Sequence, residues 1–200
     1  LYMKNKASYG GTIAIYECKS VTVLQSIFLE NQASKAGGIL FIERLDIIKN
    51  QFSHFVNNTA SLGGVIYIKD NLNSLVNSMS LFSNNIVKKS GGVVQGNNIK
   101  DVKNIKSTFV KNLAATSGGV FHITNGDSFT ISKIVFAKNT ALLSGGALRI
   151  GNYRDIKIYN CTYYKSIAVQ NGGAMWMENI QRMMCIKSQY CNNTGTIGDG

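Results

Sequence analysis

Side chains that could carry out acid–base chemistry are scattered along this sequence. Its ten carboxylates are spread over the whole chain, mostly inside or beside segments rich in Asn, Asp and Gly. Glycosidic hydrolysis and calcium binding both require carboxylates in groups. An isolated Asp in such a segment is more typical of a turn in which the side chain bonds the nearby backbone. We therefore predict no catalytic residue, and a polysaccharide-active enzyme is the least favoured function.

Metal and nucleotide sites are not predicted either. His54 and His122 occupy different positions of the repeat described below, and neither has a Cys or carboxylate at ligand spacing. No glycine-rich segment opens a predicted helix, as a phosphate-binding loop would require. We expect no metal, no nucleotide and no other cofactor.

Four cysteines leave two possibilities open. Cys161, Cys185 and Cys191 lie close to the end of the sequence, whereas Cys18 lies near its start. A bridge from Cys161 to either of the other two late cysteines is one interpretation, and four free thiols are the other.

The charge of the chain is strongly basic. Its 200 residues carry a formal net charge of +11, with 44% hydrophobic and 16% charged residues, which is a globular composition. A basic surface suits anionic glycans, acidic lipids or nucleic acids, although an AT-rich genome would also enrich Lys and Asn. No recognised nucleic-acid-binding module is present, so nucleic acid is not an expected partner. No apolar run approaches the roughly 18 to 20 residues of a transmembrane segment.

The elements that position these side chains follow from an internal repeat. An aromatic residue recurs at every 27th position, at Phe28, Phe55, Phe82, Phe109, Phe136, Tyr163 and Tyr190. A polar residue follows three positions later, at Asn31, Asn58, Asn85, Asn112, Asn139, Ser166 and Asn193. A Gly pair then recurs with nearly the same period, one residue being lost before Gly63 and regained after it. A fixed period of this length is typical of solenoids.

Short alternating segments within each period predict strands. After each Gly pair come runs such as "ILFI", "VIYI" and "ALRI", whose second and fourth residues are mostly aliphatic and whose third residue varies. A turn rich in Asn, Asp and Gly and a second strand follow. The sequence predicts an all-β protein, a right-handed, single-stranded parallel β-helix of about seven 27-residue coils, formed by residues 1–200 as one domain.

The repeated residues have architectural explanations. We expect the aromatic residues to stack inside the solenoid. We expect a buried amide ladder at Asn31, Asn58, Asn85, Asn112, Asn139 and Asn193. The Gly pair would permit a positive φ or a close approach of neighbouring backbones. Neither end shows a recognisable cap, so we expect flanking coils of a longer solenoid or contacts with adjacent subunits.

The combination of Gly-Gly-aliphatic and Phe-x-x-Asn motifs resembles the chlamydial polymorphic membrane proteins and similar repeat proteins on protist surfaces. The matching segments include "GGIL" with "FLEN", "GGVI" with "FVNN" and "GGVF" with "FVKN", whereas the sixth coil departs from the pattern with "YYKS". The resemblance covers essentially the whole chain. It implies a β-helix that is displayed at a cell surface and used in adhesion.

Two columns of variable residues could bind a ligand. The third position of the first strand would form an exposed column, with candidate binding residues Phe41, Tyr67, His122, Arg149 and Trp176. Exposed aromatic rings and an Arg on a flat sheet could stack sugars or contact a protein. The position before the ladder Asn would form a basic column of Lys111, Lys138 and Lys165, which could bind a polyanion such as a sulfated glycan. Strand aromatics and solvated lysines without any ligand would give the same patterns.

Three sequons, at Asn57, Asn160 and Asn192, could accept glycans if the chain enters a eukaryotic secretory pathway. The function that we expect is a non-enzymatic, extracellular or cell-surface module for adhesion or recognition, with a glycan or a protein as partner. The alternative is a structural spacer in a large protein assembly.

Overall fold

The computed structural model describes residues 1–195, which form strands, bends and turns without a helix. All strand pairs are parallel, and partners lie about one period apart in sequence, as Phe55 and Phe82 do. The chain is therefore a β-solenoid of about seven coils with a 27-residue repeat, as the sequence predicts. No helix long and apolar enough to cross a membrane occurs within the described part of the chain.

Three parallel sheets run along the solenoid. Sheet 1 carries the repeated aromatic residues, and its strands are Tyr2–Met3, Ile27–Leu29, His54–Val56, Leu81–Ser83, Thr108–Val110, Val135–Ala137, Thr162–Tyr164 and Gln189–Cys191. Sheet 2 follows the ladder position, and its strands are Lys6–Tyr9, Gln32–Ala36, Thr59–Ala60, Ile86–Val87, Leu113–Ala114, Thr140–Ala141, Ile167–Ala168 and Thr194–Gly195.

Sheet 3 contains both strands that follow the Gly pair. In the first four coils they are separate, as Ile13–Ile15 and Cys18–Leu24, Leu40–Ile42 and Leu45–Gln51, Ile66–Ile68 and Leu72–Ser78, and Val94–Asn97 and Ile99–Ile105. In the next three they merge into the 12-residue strands Phe121–Ser132, Leu148–Tyr159 and Met175–Ile186. The turn predicted between the two strands is therefore wrong for these three coils. Asn125 and Asn152 instead bend a continuous strand by adopting positive φ values of 58° and 55°.

The interior confirms the predicted aromatic column. Neighbouring rings from Phe28 to Tyr190 stack with centroids 4.7 to 5.3 Å apart and interplanar angles of 5° to 13°. Tyr2 extends the column, with its ring 4.7 Å from that of Phe28. The step from Tyr2 to Phe28 is one position shorter than the period, which hid this first member from a search with a fixed period.

The amide ladder is also confirmed. In a typical member, the Asn85 backbone N–H donates to Asn112 Oδ1 at 3.1 Å, while Nδ2 donates to the Phe55 carbonyl at 3.0 Å and to Asn112 Oδ1 at 2.9 Å. Asn5 begins the ladder by donating from Nδ2 to Asn31 Oδ1 at 2.8 Å. Where Asn occupies the position, the ladder thus satisfies main-chain and side-chain polar groups at a buried corner.

Each glycine of the pair has its own role. The first adopts a positive φ, as Gly91 does at 69°. The second approaches the next coil so closely that a Cβ on Gly92 would lie 2.0 Å from the Gly119 carbonyl oxygen. The sequence predicted a positive φ or a close backbone approach for the pair. In the structure the first glycine has the positive φ and the second makes the close approach.

The third coil contains the predicted slip of one residue. Ala36 bridges Leu62, one position short of a full period, whereas Thr59 pairs with Gln32 at the full period, so the loss falls in the short turn before Gly63. The residue is regained before Leu72, which again pairs with Leu45 at the full period. Both adjustments occur outside the buried strands.

Candidate functional site

The variable column of sheet 3 has the predicted register. Phe41 pairs with Tyr67, and His122 pairs with Arg149, which in turn pairs with Trp176. The column is not fully exposed, however. Phe41 retains only 4% of its accessible surface, and the other four candidates are half-buried. This part of the prediction is wrong, because residues at the end of sheet 2 form a wall beside the column.

The wall turns the first three coils of the column into a cleft of about 380 Å³. Its lining combines aromatic, aliphatic and charged side chains: Tyr9, Tyr16, Lys35, Ala36, Phe41, Glu43, Leu62, Tyr67 and Lys69. The size and the mixed apolar and polar lining are those of small-molecule sites. We call this site the aromatic cleft.

The rings of the aromatic cleft are arranged around Phe41. The Phe41 centroid lies 4.8 Å from that of Tyr9, 5.8 Å from that of Tyr67 and 6.1 Å from that of Tyr16. Tyr9 and Tyr16 are 39% and 57% exposed, so their rings form the accessible sides, with buried Phe41 as the floor. Sequence reasoning missed both tyrosines, although Tyr9 directly precedes a Gly pair.

Charged groups border these rings. Lys35 Nζ lies 5.0 Å from the centroid of the Tyr9 ring, within the range of a cation–π contact. Lys69 Nζ lies 3.2 Å from Glu43 Oε1, and both side chains are partly exposed. The aromatic cleft therefore offers both hydrogen-bond donors and acceptors beside stacking surfaces.

The later part of the column is internally paired. The Arg149 guanidinium lies 3.5 Å above the Trp176 ring and donates to Glu178 Oε1 at 2.5 Å. Burial and the nearby Arg149 charge lower the pKa of His122 to about 4, so its imidazole is neutral at pH 7. Arg149 is thus held by Trp176 and Glu178, whereas Arg149 Nη1 and His122 Nδ1 are buried without a hydrogen-bond partner among the described residues. The accessible rings lie at the other end of the column.

The basic column lies where it was predicted. Lys111, Lys138 and Lys165 are exposed, and each adopts a positive φ of 50° to 56° at the corner between sheets 1 and 2. Stacked coils place such neighbours about 4.8 Å apart at the backbone.

Carboxylates mostly form surface ion pairs. Of those that the structure describes, five lie within 4.0 Å of a Lys or Arg: Glu17, Glu30, Glu43, Asp155 and Glu178. Two others, Asp46 and Asp70, border a polar cleft of about 510 Å³, a juxtaposition that sequence reasoning missed. Asp46 Oδ1 accepts a hydrogen bond from Asn73 Nδ2 at 3.0 Å. No group of three or more His, Cys, Asp or Glu residues with metal-binding geometry occurs among residues 1–195.

All four cysteines are free thiols. Cys161 is buried in a column of serines, where its Sγ lies 3.3 Å from the Tyr159 carbonyl oxygen, and burial raises the pKa of its thiol. A raised pKa keeps the thiol protonated and poorly nucleophilic. The sequence left open a disulfide from Cys161 or four free thiols, and the structure contains four free thiols.

All three sequon asparagines are exposed at corners. Asn57, Asn160 and Asn192 adopt positive φ values of 56°, 51° and 54°. Their side chains therefore lie at positions where a bulky modification would meet solvent rather than the core.

Comparisons of the chain with protein-family models, with curated proteins and with solved structures found no match.

Proposed function

We propose that this chain is a non-enzymatic recognition module, displayed at a cell surface, that binds carbohydrate in the aromatic cleft. The observation that carries the proposal is the pair of exposed rings, Tyr9 and Tyr16, beside the buried floor of Phe41. Sugar rings present apolar C–H faces that pack on aromatic rings, and their hydroxyls both donate and accept hydrogen bonds. Lys35, Lys69 and Glu43 supply the matching polar groups.

The paired strands of the solenoid fix the shape of the binding site before a ligand binds. Tyr9 and Phe41 lie on strands that are paired with neighbouring coils, and Tyr16 lies on the two-residue bend between the strands Ile13–Ile15 and Cys18–Leu24. A pre-organised site loses less conformational entropy on binding. The three exposed sequons and the resemblance to surface repeat proteins support the extracellular part of the proposal.

Binding can be tested with a double variant, Tyr9→Ser with Tyr16→Ser, on an array of immobilised neutral oligosaccharides. We expect the parent to bind a subset of the array and the double variant to lose about tenfold in affinity, since each stacking ring contributes roughly 0.5 to 1.5 kcal/mol. Phe52→Ser with Tyr159→Ser is the matched control, because these two accessible aromatic residues lie outside the cleft.

Equal binding by the parent and the cleft variant would overturn the carbohydrate proposal. Binding of a purified surface protein, lost in the cleft variant while no oligosaccharide binds, would assign the cleft to a protein partner. Surface display is tested separately by antibody labelling of intact source cells. Labelling that requires permeabilisation would overturn that part of the proposal.

A structural spacer is the second candidate function. The continuous column of stacked aromatic rings in the interior favours it. The aromatic column runs from Tyr2 to Tyr190, with amide ladders beside it along much of its length. Flanking coils or adjacent subunits would then pack on the outermost rings of Tyr2 and Tyr190, which are 44% and 42% exposed. A spacer function does not depend on the aromatic cleft, so the cleft variant separates the two candidates.

A further inference from the structure

A second row of lysines lies opposite the basic column. The corner between sheets 3 and 1 also holds residues in the left-handed conformation, and in its later coils these are Lys106, Lys133, Asn160 and Lys187. The corner between sheets 1 and 2 holds Lys111, Lys138, Lys165 and Asn192 at the corresponding positions. Sequence reasoning missed the second row because its first three members are Gln25, Phe52 and Met79.

The two rows flank one narrow, flat face. Within a coil the rows are five positions apart in sequence, as Lys106 and Lys111 are, which corresponds to at most about 17 Å of extended chain. Between them the three-residue strands of sheet 1 present neutral side chains outward, such as Thr108, Val110, Thr162 and Tyr164. We call residues 106–111, 133–138, 160–165 and 187–192 the lysine face, and it contains no Asp or Glu.

The six lysines have no carboxylate partner within 4.0 Å in the described part of the chain. All six are exposed. The earlier coils differ, because Glu30 occupies the same column as Lys111 and lies 3.9 Å from Lys4 Nζ. On this face of the solenoid, uncompensated positive charge is therefore concentrated in the later coils.

Backbone conformation alone does not explain these lysines. Asn is enriched at positive φ, because its short side chain tolerates the left-handed region, whereas Lys gains nothing there. The third left-handed column of this solenoid follows that preference, with Asn98, Asn125, Asn152 and Asn179. The lysine face instead has Lys at six of its eight left-handed positions.

We infer that the lysine face binds a linear anionic polysaccharide, such as a sulfated glycan, laid along the solenoid axis. The rows repeat with the coil spacing of about 4.8 Å, so a chain of regularly spaced anions can meet several ammonium groups at once. The neutral side chains of sheet 1 that lie between the two rows accommodate the sugar backbone. This inference does not depend on the aromatic cleft, which lies on other sheets and in other coils.

The test compares a lysine-face variant with a control variant of equal charge. The first replaces the six lysines by Gln, a residue that the second row already contains at position 25 and that creates no new sequon: Lys106→Gln, Lys111→Gln, Lys133→Gln, Lys138→Gln, Lys165→Gln and Lys187→Gln. The control replaces six exposed lysines elsewhere by Gln: Lys19, Lys49, Lys88, Lys100, Lys103 and Lys157. Both lower the formal net charge from +11 to +5, since 11 − 6 = 5.

Binding of fluorescent dextran sulfate, with unsulfated dextran of equal length as the reference, is measured by anisotropy. We expect the parent to bind only the sulfated polymer, and to bind it more weakly at about 0.5 M than at about 0.05 M salt because of screening. The lysine-face variant should lose about tenfold in affinity or more, while the control variant stays within about threefold of the parent. Circular dichroism should show that both variants keep the parental fold.

Equal losses in both variants would overturn the inference, since net charge alone would then account for binding. Retention of binding by the lysine-face variant would overturn it as well. A single-stranded oligonucleotide of equal charge that binds more tightly than dextran sulfate, and loses affinity in the lysine-face variant, would reassign the face to nucleic acid.

Discussion

At the scale of single residues, the solenoid places two buried tyrosines in opposite situations. Tyr153 crosses the interior above Gly126 and donates a hydrogen bond from its hydroxyl to the Ile99 carbonyl, two coils away, at 2.7 Å. Gly126 makes room for it, because a Cβ there would lie 2.4 Å from the Tyr153 ring. Tyr163 lies in the aromatic column, fully buried, and its hydroxyl has no hydrogen-bond partner among residues 1–195.

The same substitution should therefore have opposite effects at the two positions. Tyr153→Phe removes a buried hydrogen bond and should lower the free energy of unfolding by about 1 to 2 kcal/mol. Tyr163→Phe removes an unpaired buried hydroxyl from a column in which Phe is the commonest residue, and should raise it by about 1 kcal/mol. Urea denaturation at constant m-value measures both. A loss of stability in Tyr163→Phe would show that its hydroxyl is satisfied in solution.

A contact of a single residue could be predicted from the sequence only when the same contact recurs in every coil. The Phe82 and Asn85 positions were predictable, since each belongs to a column of seven similar residues. The pairing of Gly126 with Tyr153 occurs once, and no periodic pattern indicates it. The burial of Phe41 was equally hidden, because the wall that covers it comes from a different sheet.

At the scale of elements, buried polar ladders bind each coil to the next. A second amide ladder, not predicted from the sequence, joins Asn50, Asn77 and Asn104 with Nδ2 to Oδ1 distances of 2.7 and 2.6 Å. It spans only three coils, so it is too short to appear as a feature of the whole repeat. A row of serines, including Ser53 and Ser80, does the same at the next corner, where each hydroxyl accepts the backbone N–H of the preceding coil.

The main ladder is interrupted at one coil, which provides an element-scale prediction. Ser166 replaces Asn, and its buried hydroxyl makes no hydrogen bond to any described residue, although its backbone N–H donates to Asn193 Oδ1 at 2.9 Å. Ser166→Asn should restore the bonds from Asn139 and the side-chain bond to Asn193, and should raise the free energy of unfolding by about 1 to 3 kcal/mol. Asn85→Ser is the matched reverse change and should lower it by a similar amount.

Thermal and urea denaturation of these two variants against the parent would measure the ladder's contribution. Destabilisation by both substitutions would contradict the prediction, because it would mean that the space around Ser166 has adapted to the smaller side chain.

At the scale of the whole molecule, almost all hydrogen bonds between coils join coils that are immediate neighbours. Stability in such a solenoid is approximately a sum over coils and their interfaces. The constant period of the repeat made the solenoid predictable, but neither the cleft nor the second lysine row was. The cleft arises where side chains from different sheets meet, and the second row contains Lys only in its later coils.

The whole-molecule prediction concerns removal of one coil. Deleting residues 76–102 joins Leu75 to Lys103, which occupies the register position of Val76. The shortened chain should remain a folded solenoid, with Phe55 stacking on Phe109 and Asn58 bonding Asn112, because every interior column is retained. Circular dichroism should show β-structure and a cooperative unfolding transition with a somewhat lower midpoint.

Deleting residues 76–101 is the control, and it stops one position short of a full coil. Leu75 is then followed by Val102, and both face the interior in the intact chain. Since side chains alternate across a strand, the shift moves Val102 to the surface and Lys103 into the core. The natural slip in the third coil avoids this cost because both of its adjustments lie in turns. We expect the shorter deletion to unfold at a much lower urea concentration, and equal stability of the two deletions would contradict the strict register inferred for this strand.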